Sequence, residues 1–337
     1  MKIIVTGGYG FIGSHLIKLL LKNKNNKILN LDAKTYCSMP ESLNAIKNNK
    51  NYNFKKLNIT DHTKLEKVIS KFQPKLIFHL AAESHVDNSI HNPNNFINNN
   101  ILGTYNILNC CKNKLKNIKD FKLIHVSTDE VYGSIKNKKG KPFSEESKFY
   151  PNSPYSASKA SSDLLVRAWY KTYDLPVIIT NCVNNFGEWQ FPEKLLPVVI
   201  SACLQNKNIP VYGSGKNIRE WIYVKDHVKQ LLRISKKGKI GETYNIGSGY
   251  EIDNISLIKK ICRYFDKNYR KEIPYSNLIS FIKDRPGHDF RYSINSKKTK
   301  KLLNLSNAKD FEENLNKTIK WNIDNSLWLL NKINSNK

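Results

Sequence analysis

Short apolar segments alternate with helix-like segments along the first half of the chain, and this alternation constrains the fold more than any other feature. Apolar runs at Lys2–Thr6 and Lys27–Asp32 flank residues 11–22, where apolar side chains recur at helical spacing. Further strands are predicted at 53–57, 76–80, 122–127 and 177–182, and further helices at 62–72, 94–117 and 155–173. Strands separated by helices predict an α/β fold with a doubly wound parallel sheet, whose ligand crevice lies at the carboxyl ends of the strands.

A glycine-rich turn joins the first predicted strand to the first predicted helix. Gly7, Gly10 and Gly13 fit the spacing GxxGxxG, which permits a tight turn and lets a pyrophosphate approach the backbone at the helix N-terminus. Asp32 ends the second strand, where a carboxylate hydrogen-bonds the adenine ribose hydroxyls and repels a 2′-phosphate. The turn and the acid together predict a site for NAD rather than NADP.

The character of the chain changes beyond residue 185, where proline and glycine become frequent and the predicted elements shorten. A chain of 337 residues is long enough for one large domain or two moderate ones. We therefore expect 1–185 to form the NAD-binding domain and 186–337 to form mainly a smaller, loop-rich substrate-binding domain. Residues 242–247 are strand-like, and 221–248 are expected to return to the first domain.

Tyr155 and Lys159 lie four residues apart at the start of a predicted helix, directly after Pro154. This spacing places both side chains on one helix face. A neighbouring ammonium lowers the pKa of a phenol, so Tyr155 is a candidate base that takes a proton from a hydroxyl while hydride leaves for a nicotinamide. The spacing alone is equally compatible with an exposed helix face.

An acidic pair, Asp129 and Glu130, follows Thr128 at the end of the strand predicted at 122–127. Because like charges repel, one of the two carboxyl groups is expected to have a raised pKa and to stay protonated, which would place an acid beside a base. Elimination of water requires such a pair, whereas simple oxidation does not. A structural alternative is that Asp129 caps a turn by accepting from backbone N–H groups.

The composition argues against several classes of protein. The net charge is +27, but lysine is spread along the whole chain and no basic run is interleaved with aromatics, so no specific nucleic-acid partner is expected. The six cysteines show no metal-ligand spacing, which predicts no metal site and a reducing cytoplasm. No run of 18 apolar residues occurs, so no membrane span is expected.

From GGYGFIGSH (7–15) to RPGHDFRYSI (285–294), the chain resembles the nucleotide-sugar 4,6-dehydratases of the extended short-chain dehydrogenase/reductase type. The motifs that carry the resemblance are STDEVYG (127–133), YSASKASSD (155–163), NNFGEWQFPEKLLP (184–197), PVYGSGKNIREWIYV (210–224) and DRPGHD (284–289). The resemblance implies a Rossmann-type fold, bound NAD, and a homodimer formed through the helices at 94–117 and 155–173.

The resemblance also implies an activity, the conversion of a nucleoside-diphosphate-glucose to its 4-keto-6-deoxy sugar in deoxysugar biosynthesis. Tyr155 would be the base in C4 oxidation, Lys159 would lower its pKa and hold the nicotinamide ribose, and Thr128 would bind the C4 oxygen. Glu130 would remove the C5 proton and Asp129 would protonate the C6 hydroxyl as water leaves. Hydride would then return to C6.

Binding residues are implied by the same motifs. The cofactor contacts, which come from the glycine turn, the strand ends and the Tyr–Lys helix, are Gly7, Gly10, Phe11, Ile12, Gly13, Asp32, Ala33, Lys34, Thr35, Asn58, Ile59, Leu80, Ala81, Ala82, Ser84, Asn99, Tyr155, Lys159 and Asn185. The substrate contacts are Ser84, Thr128, Asn184, Lys194, Leu195, Pro210, Val211, Tyr212, Arg219, Asn254, Asp284, Arg285, Pro286, Gly287 and His288. Arg219 and Arg285 are the expected diphosphate clamps.

Alternatives remain for the nucleotide and for the reaction. The resemblance favours dTDP-glucose, but Tyr36, Cys37, Ser38 and Asn88 look more like the enzymes that act on UDP-glucose. Thymine and uracil differ by one methyl group, which is worth roughly 1–3 kcal/mol in a fitted pocket. A nucleotide-sugar 4-epimerase would share the glycine turn and the Tyr–Lys pair but usually lacks a Thr-Asp-Glu run. A non-catalytic NAD-binding or nucleic-acid-binding protein is the remote alternative.

Overall fold

The computed structural model describes residues 1–269, 271–306 and 310–334. Its strands are β1 (Lys2–Thr6), β2 (Lys27–Asp32), β3 (Tyr52–Lys56), β4 (Leu76–His79), β5 (Lys122–Thr128), β6 (Val177–Cys182), β7 (Asn184–Phe186), β8 (Ile209–Tyr212), β9 (Ile218–Tyr223), β10 (Thr243–Ile246), β11 (Glu251–Asp253) and β12 (Ile279–Ile282). Its α-helices are α1 (Phe11–Leu20), α2 (His62–Phe72), α3 (Val86–His91), α4 (Pro93–Phe96), α5 (Gly103–Lys114), α6 (Pro154–Tyr173), α7 (Leu195–Gln205), α8 (Val224–Lys237), α9 (Asn254–Asn268), α10 (Lys297–Leu303), α11 (Phe311–Asp324) and α12 (Ser326–Asn334).

The main sheet has seven strands in the order β10-β6-β5-β4-β1-β2-β3, and every neighbouring pair is parallel. Side chains alternate between the two faces of a strand, and helices cover both faces of this sheet, so its central strands are buried on both sides. Ile3 and Val5 pack into the core beneath α1 and α8, whereas Ile4 packs into the core beneath α2 and α5. The predicted doubly wound, Rossmann-type α/β sheet is confirmed.

The second half of the chain contributes to this sheet and also builds a separate core. β10, which lies within the strand-like segment 242–247, pairs with β6 at the sheet edge. The remaining strands form a three-stranded sheet, β11-β9-β7, and a two-stranded sheet, β12-β8. A third hydrophobic cluster packs α7, α9 and α11 around these strands. The division into domains at residue 185 stays a prediction.

The helix predicted at 94–117 differs from the structure, which divides it into α4, a π-helical turn at Ile97–Leu102, and α5. Asn100 lies in that turn, and its side chain accepts from Glu83 N at 2.8 Å and donates to Ser158 Oγ at 2.8 Å. The Asn100 carbonyl oxygen accepts from the Ser162 hydroxyl at 2.7 Å. The Ser162 bond thus satisfies a backbone carbonyl of the turn, and the two side-chain bonds tie the turn to α6 and to the segment after β4.

None of the helices within the described residues combines the length and the apolar character that a membrane-crossing helix needs.

Candidate active site

Two adjoining cavities lie at the carboxyl ends of the central strands. The inner cavity has a volume of about 280 Å³ and is lined by the glycine turn, the end of β5, the start of α6 and the segment that follows β6. The outer cavity, of about 90 Å³, lies beside the end of β2 and the segment that follows β3. Gly7, Gly10, Leu80 and Ala82 line both cavities, which therefore form one continuous groove.

The glycine turn is closed on its inner side and open toward the groove. Gly7 has a φ of +69°, and a Cβ there would lie 2.8 Å from the Ala81 nitrogen. A Cβ on Gly13 would lie 2.3 Å from the Gly7 carbonyl oxygen. A Cβ on Gly10 would approach only the Gly7 oxygen, at 3.1 Å. Gly7 and Gly13 are thus needed for close packing, whereas Gly10 leaves backbone accessible at the wall of both cavities, as a pyrophosphate requires.

Asp32 organises the backbone around the outer cavity. Its Oδ2 accepts from the Tyr9 backbone nitrogen at 3.0 Å, and its Oδ1 accepts from the Lys34 backbone nitrogen at 2.8 Å and from the Ser38 hydroxyl at 2.9 Å. The carboxylate is therefore fixed at the end of β2, at the wall of the outer cavity, where an adenine ribose can reach it.

The structure brings the predicted cofactor residues together along the groove. Lys34 is the exception in that predicted set, since it lines neither cavity. It adopts a φ of +55°, and its ammonium lies 5.0 Å from the centre of the Phe54 ring and 5.8 Å from that of Tyr9. The cation–π contacts hold this side chain away from the groove.

Thr128 fixes the geometry of the acidic pair. It ends β5, and a short 3-10 helix, Asp129–Tyr132, begins directly after it. The Thr128 Oγ1 accepts from the Glu130 backbone nitrogen at 3.3 Å and donates to Asp129 Oδ1 at 3.3 Å. Thr128 is therefore the residue that caps this turn, and the capping role considered for Asp129 is wrong.

Asp129 lies in a site that favours the neutral acid. The residue is 2% exposed, and its Oδ2 has no hydrogen-bond partner among the described residues. Burial raises the pKa of Asp129 well above its usual range, and the charges of Glu130 and Glu220 raise it further. The direction of this shift agrees with the expectation that one carboxyl group of the pair stays protonated, which remains a prediction.

Glu130 differs from Asp129 because positive groups surround it. Burial also raises the pKa of Glu130, but Arg219, Arg285 and Lys194 act against that rise, in this order of strength. For Asp129, Arg219 and the hydrogen bond from Thr128 oppose the rise, and the pKa is still raised well above its usual range. As the pH rises, Glu130 is therefore expected to lose its proton before Asp129, so that a carboxylate base lies beside a carboxylic acid.

Tyr155 and Lys159 lie on the same wall of the inner cavity, but their electrostatics differ from the sequence-based expectation. Burial raises the pKa of Tyr155 well above 10, and a hydrogen bond with Thr128 only partly opposes this. The net shift is therefore opposite in direction to the lowering that the Tyr–Lys spacing predicts. The Lys159 ammonium donates to the Val126 carbonyl oxygen at 2.9 Å, and burial lowers the pKa of Lys159 while Asp163 opposes that shift.

A buried polar network lies beneath the catalytic wall. His125 Nε2 and Asp163 Oδ1 are 3.1 Å apart. The Asn181 amide donates to Asp163 Oδ2 at 3.0 Å and to the Thr128 carbonyl oxygen at 3.1 Å. These contacts tie the end of β5, which carries the acidic pair, to α6, which carries Tyr155. The network thus fixes the two sets of reacting groups relative to each other.

Only part of the predicted substrate set reaches the inner cavity. Ser84, Thr128, Asn184 and Lys194 line it. The predicted substrate residues that do not line it are Leu195, Pro210, Val211, Tyr212, Arg219, Asn254, Asp284, Arg285, Pro286, Gly287 and His288. Within this second group, Arg219 is buried, donates to the carbonyl oxygens of Ile218 and Asp289 at 2.8 and 3.0 Å, and stacks on the Tyr292 ring at 4.3 Å.

Some residues of the inner cavity were missed by the sequence reasoning. They are Cys37, Met39, Val126, Ser127, Cys182, Val183, Gln190, Phe191 and Glu193. Ser127 and Cys182 lie at or next to the carboxyl ends of neighbouring strands, and that position was the signal available for them. Burial raises the pKa of Cys182 to about 12, so this thiol contributes to the wall as a neutral group. Phe191 and Glu193 come from a loop, where no spacing distinguishes them.

Comparison with known proteins gives a consistent result. The family model described as GDP-mannose 4,6 dehydratase matches residues 4–318. The dTDP-glucose 4,6-dehydratase of Neisseria meningitidis is 43% identical over 343 residues, covering 99% of this chain and 96% of the relative. The crystal structure of the Bacillus anthracis dTDP-glucose 4,6-dehydratase with NAD has a TM-score of 0.86 at 39% identity, covering 97% of this chain and 98% of that one. The Streptomyces venezuelae dTDP-glucose 4,6-dehydratase, also solved with NAD, has a TM-score of 0.89 at 36% identity and the same coverage. The chain belongs to the GDP-mannose 4,6 dehydratase family.

Proposed function

We propose that this protein is an NAD-dependent hydro-lyase that converts dTDP-glucose to its 4-keto-6-deoxy sugar. The observation that carries the proposal is the buried Asp129 carboxyl group beside Glu130, on the wall of the cavity that Tyr155 and Lys159 also line. Its Oδ2 has no hydrogen-bond partner among the described residues. An oxidation alone would not need this acid and base. The relatives described above, which carry the name of this activity, support the same substrate.

The groove fits NAD along its length. Asp32 would hold the adenine ribose, and the backbone at Gly10 would approach the pyrophosphate. Tyr155 and Lys159 would lie at the nicotinamide end. When bound, NAD supplies a hydride acceptor for the sugar carbon C4 and a hydride donor for C6.

Tyr155 and Thr128 would act on the C4 hydroxyl. Both side chains line the inner cavity, so both can address one substrate oxygen. Tyr155 would accept the C4 hydroxyl proton as a phenolate. Because burial opposes the phenolate and raises the pKa of Tyr155, the nearby positive charge of Lys159 and of an oxidised nicotinamide would be needed to form it.

Glu130 and Asp129 would carry out the elimination. A ketone at C4 makes the C5 proton acidic, and the Glu130 carboxylate would remove it. Asp129, held neutral by burial, would donate its proton to the C6 hydroxyl as the C6–O bond breaks and water leaves. After the elimination Glu130 carries the C5 proton and Asp129 is a carboxylate, so the total charge of the pair is unchanged. When C6 takes up a hydride, Glu130 would return its proton to C5 and Asp129 would take up a proton from solvent, which restores the starting state.

Positive groups would receive the diphosphate at the opposite side of the inner cavity. Lys194 lines this cavity, and Arg219 and Arg285 exert their charge on Glu130. A guanidinium can bind a phosphate through two donors, which suits both arginines to this role. Asn184 and Ser84, also on the cavity wall, would add neutral contacts.

The proposal is tested by incubating the NAD-loaded protein separately with dTDP-glucose and with UDP-glucose, and by measuring the keto-sugar chromophore in base. We expect product from dTDP-glucose at the higher kcat/KM. A higher kcat/KM for UDP-glucose would replace the nucleotide and leave the reaction intact. Formation of a 4-epimer without the chromophore from either substrate would refute the proposed elimination.

We also propose a homodimer in a reducing cytoplasm. Large apolar side chains are exposed on the helical segments predicted to form the interface, namely Ile97, Leu102, Tyr105 and Leu164. An interface would bury this surface. The six cysteines are unpaired, which suits a reducing compartment. Light scattering of the purified protein tests the dimer, and a monomeric mass at micromolar concentration would contradict it.

A further inference from the structure

A single carboxylate, Asp87, bridges two residues that are expected to bind the nucleotide. Asp87 lies on α3, which follows the cavity-lining segment after β4. Its Oδ1 lies 3.2 Å from Arg285 Nη1, and its Oδ2 accepts from the Tyr212 hydroxyl at 3.1 Å. We call this arrangement of Asp87, Tyr212 and Arg285 the Asp87 bridge. It joins the half of the chain that lines the cofactor groove to the half that carries the substrate motifs.

The two partners of Asp87 come from neighbouring segments. Tyr212 ends β8, and β8 pairs in parallel with β12, which ends two residues before Asp284. Arg285 follows Asp284 in the same loop, and its backbone nitrogen donates to the Asp284 side chain at 2.9 Å. The β8–β12 pair therefore presents a phenol and a guanidinium side by side, and the Asp87 carboxylate contacts both.

The guanidinium of Arg285 is only partly used by this contact. Its Nη1 binds Asp87, while its Nε is buried and has no hydrogen-bond partner among the described residues. A guanidinium presents donors on a planar fork that match a carboxylate and a phosphate equally well. The Asp87 carboxylate thus occupies Nη1, a donor that a substrate phosphate would use. The buried Nε is a second donor, and it has no acceptor among the described residues.

We propose that Asp87 tunes the affinity for substrate, because its carboxylate occupies the phosphate-binding side of Arg285 and is displaced by a nucleoside diphosphate. This inference rests on the proposed function, because it takes the diphosphate of the substrate as the displacing group. A diphosphate carries more negative charge than one carboxylate and can engage Nη1 and Nε together, so it competes well. A nucleoside without phosphates does not compete for Arg285, so Asp87 would lower the affinity for a nucleoside diphosphate and leave the affinity for a nucleoside unchanged.

The expected effect follows from the exposure of the pair. The side chains of Arg285 and Asp87 are 21% and 24% exposed, so their attraction is partly screened by water. Pairs in such positions are worth about 0.2–1 kcal/mol, which corresponds to an equilibrium constant changed by about 1.4- to 5-fold. Removing the carboxylate charge in D87N should therefore lower the Kd of a nucleoside diphosphate by about that factor.

The test measures binding of dTDP, UDP and thymidine to the NAD-loaded protein by calorimetry. D87N should bind both diphosphates more tightly than the wild type and should bind thymidine unchanged. Asp324→Asn is the matched control, because it removes the same charge from an exposed pair with Lys320 on α11 and should change no Kd. Asp87→Ser provides a second variant that lacks the carboxylate, and thermal melting confirms that each variant is folded.

The outcomes separate the two proposals. If D87N and Asp87→Ser bind dTDP and UDP more weakly than the wild type, Asp87 positions Arg285 for the ligand and the competition is refuted. Unchanged diphosphate affinity in both variants refutes it as well. If the wild type binds neither diphosphate at millimolar concentration, it is the proposed substrate class that fails, whatever the variants do.

Discussion

Asp129→Asn is expected to remove catalysis and to stabilise the fold at the same time. The amide keeps the size of the side chain and can still accept from the Thr128 hydroxyl, but it cannot protonate the C6 hydroxyl. A positioned general acid contributes about 10²–10⁴-fold, so dehydration should slow by that factor. Exchange of the C5 proton with solvent deuterium should persist, because Glu130 carries out that step.

The gain in stability follows from the burial of Asp129. An unfolded chain releases this proton near pH 4, at about 3.9, whereas burial raises the pKa of Asp129 in the folded chain. Between the unfolded and the folded pKa of Asp129, the folded chain therefore holds a proton that the unfolded chain has released. Within this pH window, the wild-type free energy of unfolding falls by about 1.4 kcal/mol for each pH unit, relative to a chain with Asn there. Above the folded pKa the difference stays constant.

This slope can be converted to a melting temperature. Unfolding entropies of about 2.1 cal/mol/K per residue give roughly 0.7 kcal/mol/K for a chain of this size. The difference in Tm between Asp129→Asn and the wild type should therefore grow by about 2 °C for each pH unit above 4 within the window.

Differential scanning fluorimetry from pH 4 to pH 9 measures this difference, with Asp324→Asn as the exposed control that should follow the wild type. A Tm difference that does not grow with pH would show that Asp129 does not carry a buried, raised pKa. Dehydration within threefold of the wild-type rate would show that it is not the acid. Either result refutes the reasoning that assigns Asp129 its role.

Three further predictions concern the same groove. Glu130→Gln should abolish exchange of the C5 proton with deuterium, measured by mass spectrometry, while reduction of bound NAD in a single turnover survives. Survival of both signals would contradict the assignment of Glu130 as the C5 base. The dehydration rate should rise with pH as Glu130 ionises and fall as Asp129 ionises, with both limbs above the usual carboxyl range because burial raises each pKa. A kcat that is still rising at the alkaline end of the pH profile would contradict the role of Asp129 as the acid. Gly13→Ala should lower the Tm because its Cβ would lie 2.3 Å from the Gly7 carbonyl oxygen, whereas Gly10→Ala should leave the Tm unchanged and weaken NAD binding. Equal losses of Tm in the two variants would contradict the inference that the backbone is accessible at Gly10.

The fold could be predicted from the sequence because its main signals are local. Each strand of the parallel sheet is a short apolar run, and the order of strands and helices restricts the topology. The helix at 94–117 was predicted without its π-helical turn because that turn depends on Asn100, whose partners Ser158 and Ser162 lie about 60 residues away. Helical periodicity contains no information about such partners.

The candidate site likewise contains residues that the sequence predicts and features that it does not. Thr128, Asp129 and Glu130 could be predicted because they are consecutive at a strand end, and the parallel sheet places such ends together. The direction of the Tyr155 pKa shift could not be predicted, because spacing reveals a neighbouring ammonium but not the depth of burial, and burial is the largest cause of the shift. Asp87 was missed because its partners lie 125 and 198 residues away. Both cases have one physical origin. Sequence neighbours alone do not set the charge of a buried group. The charge depends on desolvation and on partners that are distant in the sequence, and neither can be read from local spacing.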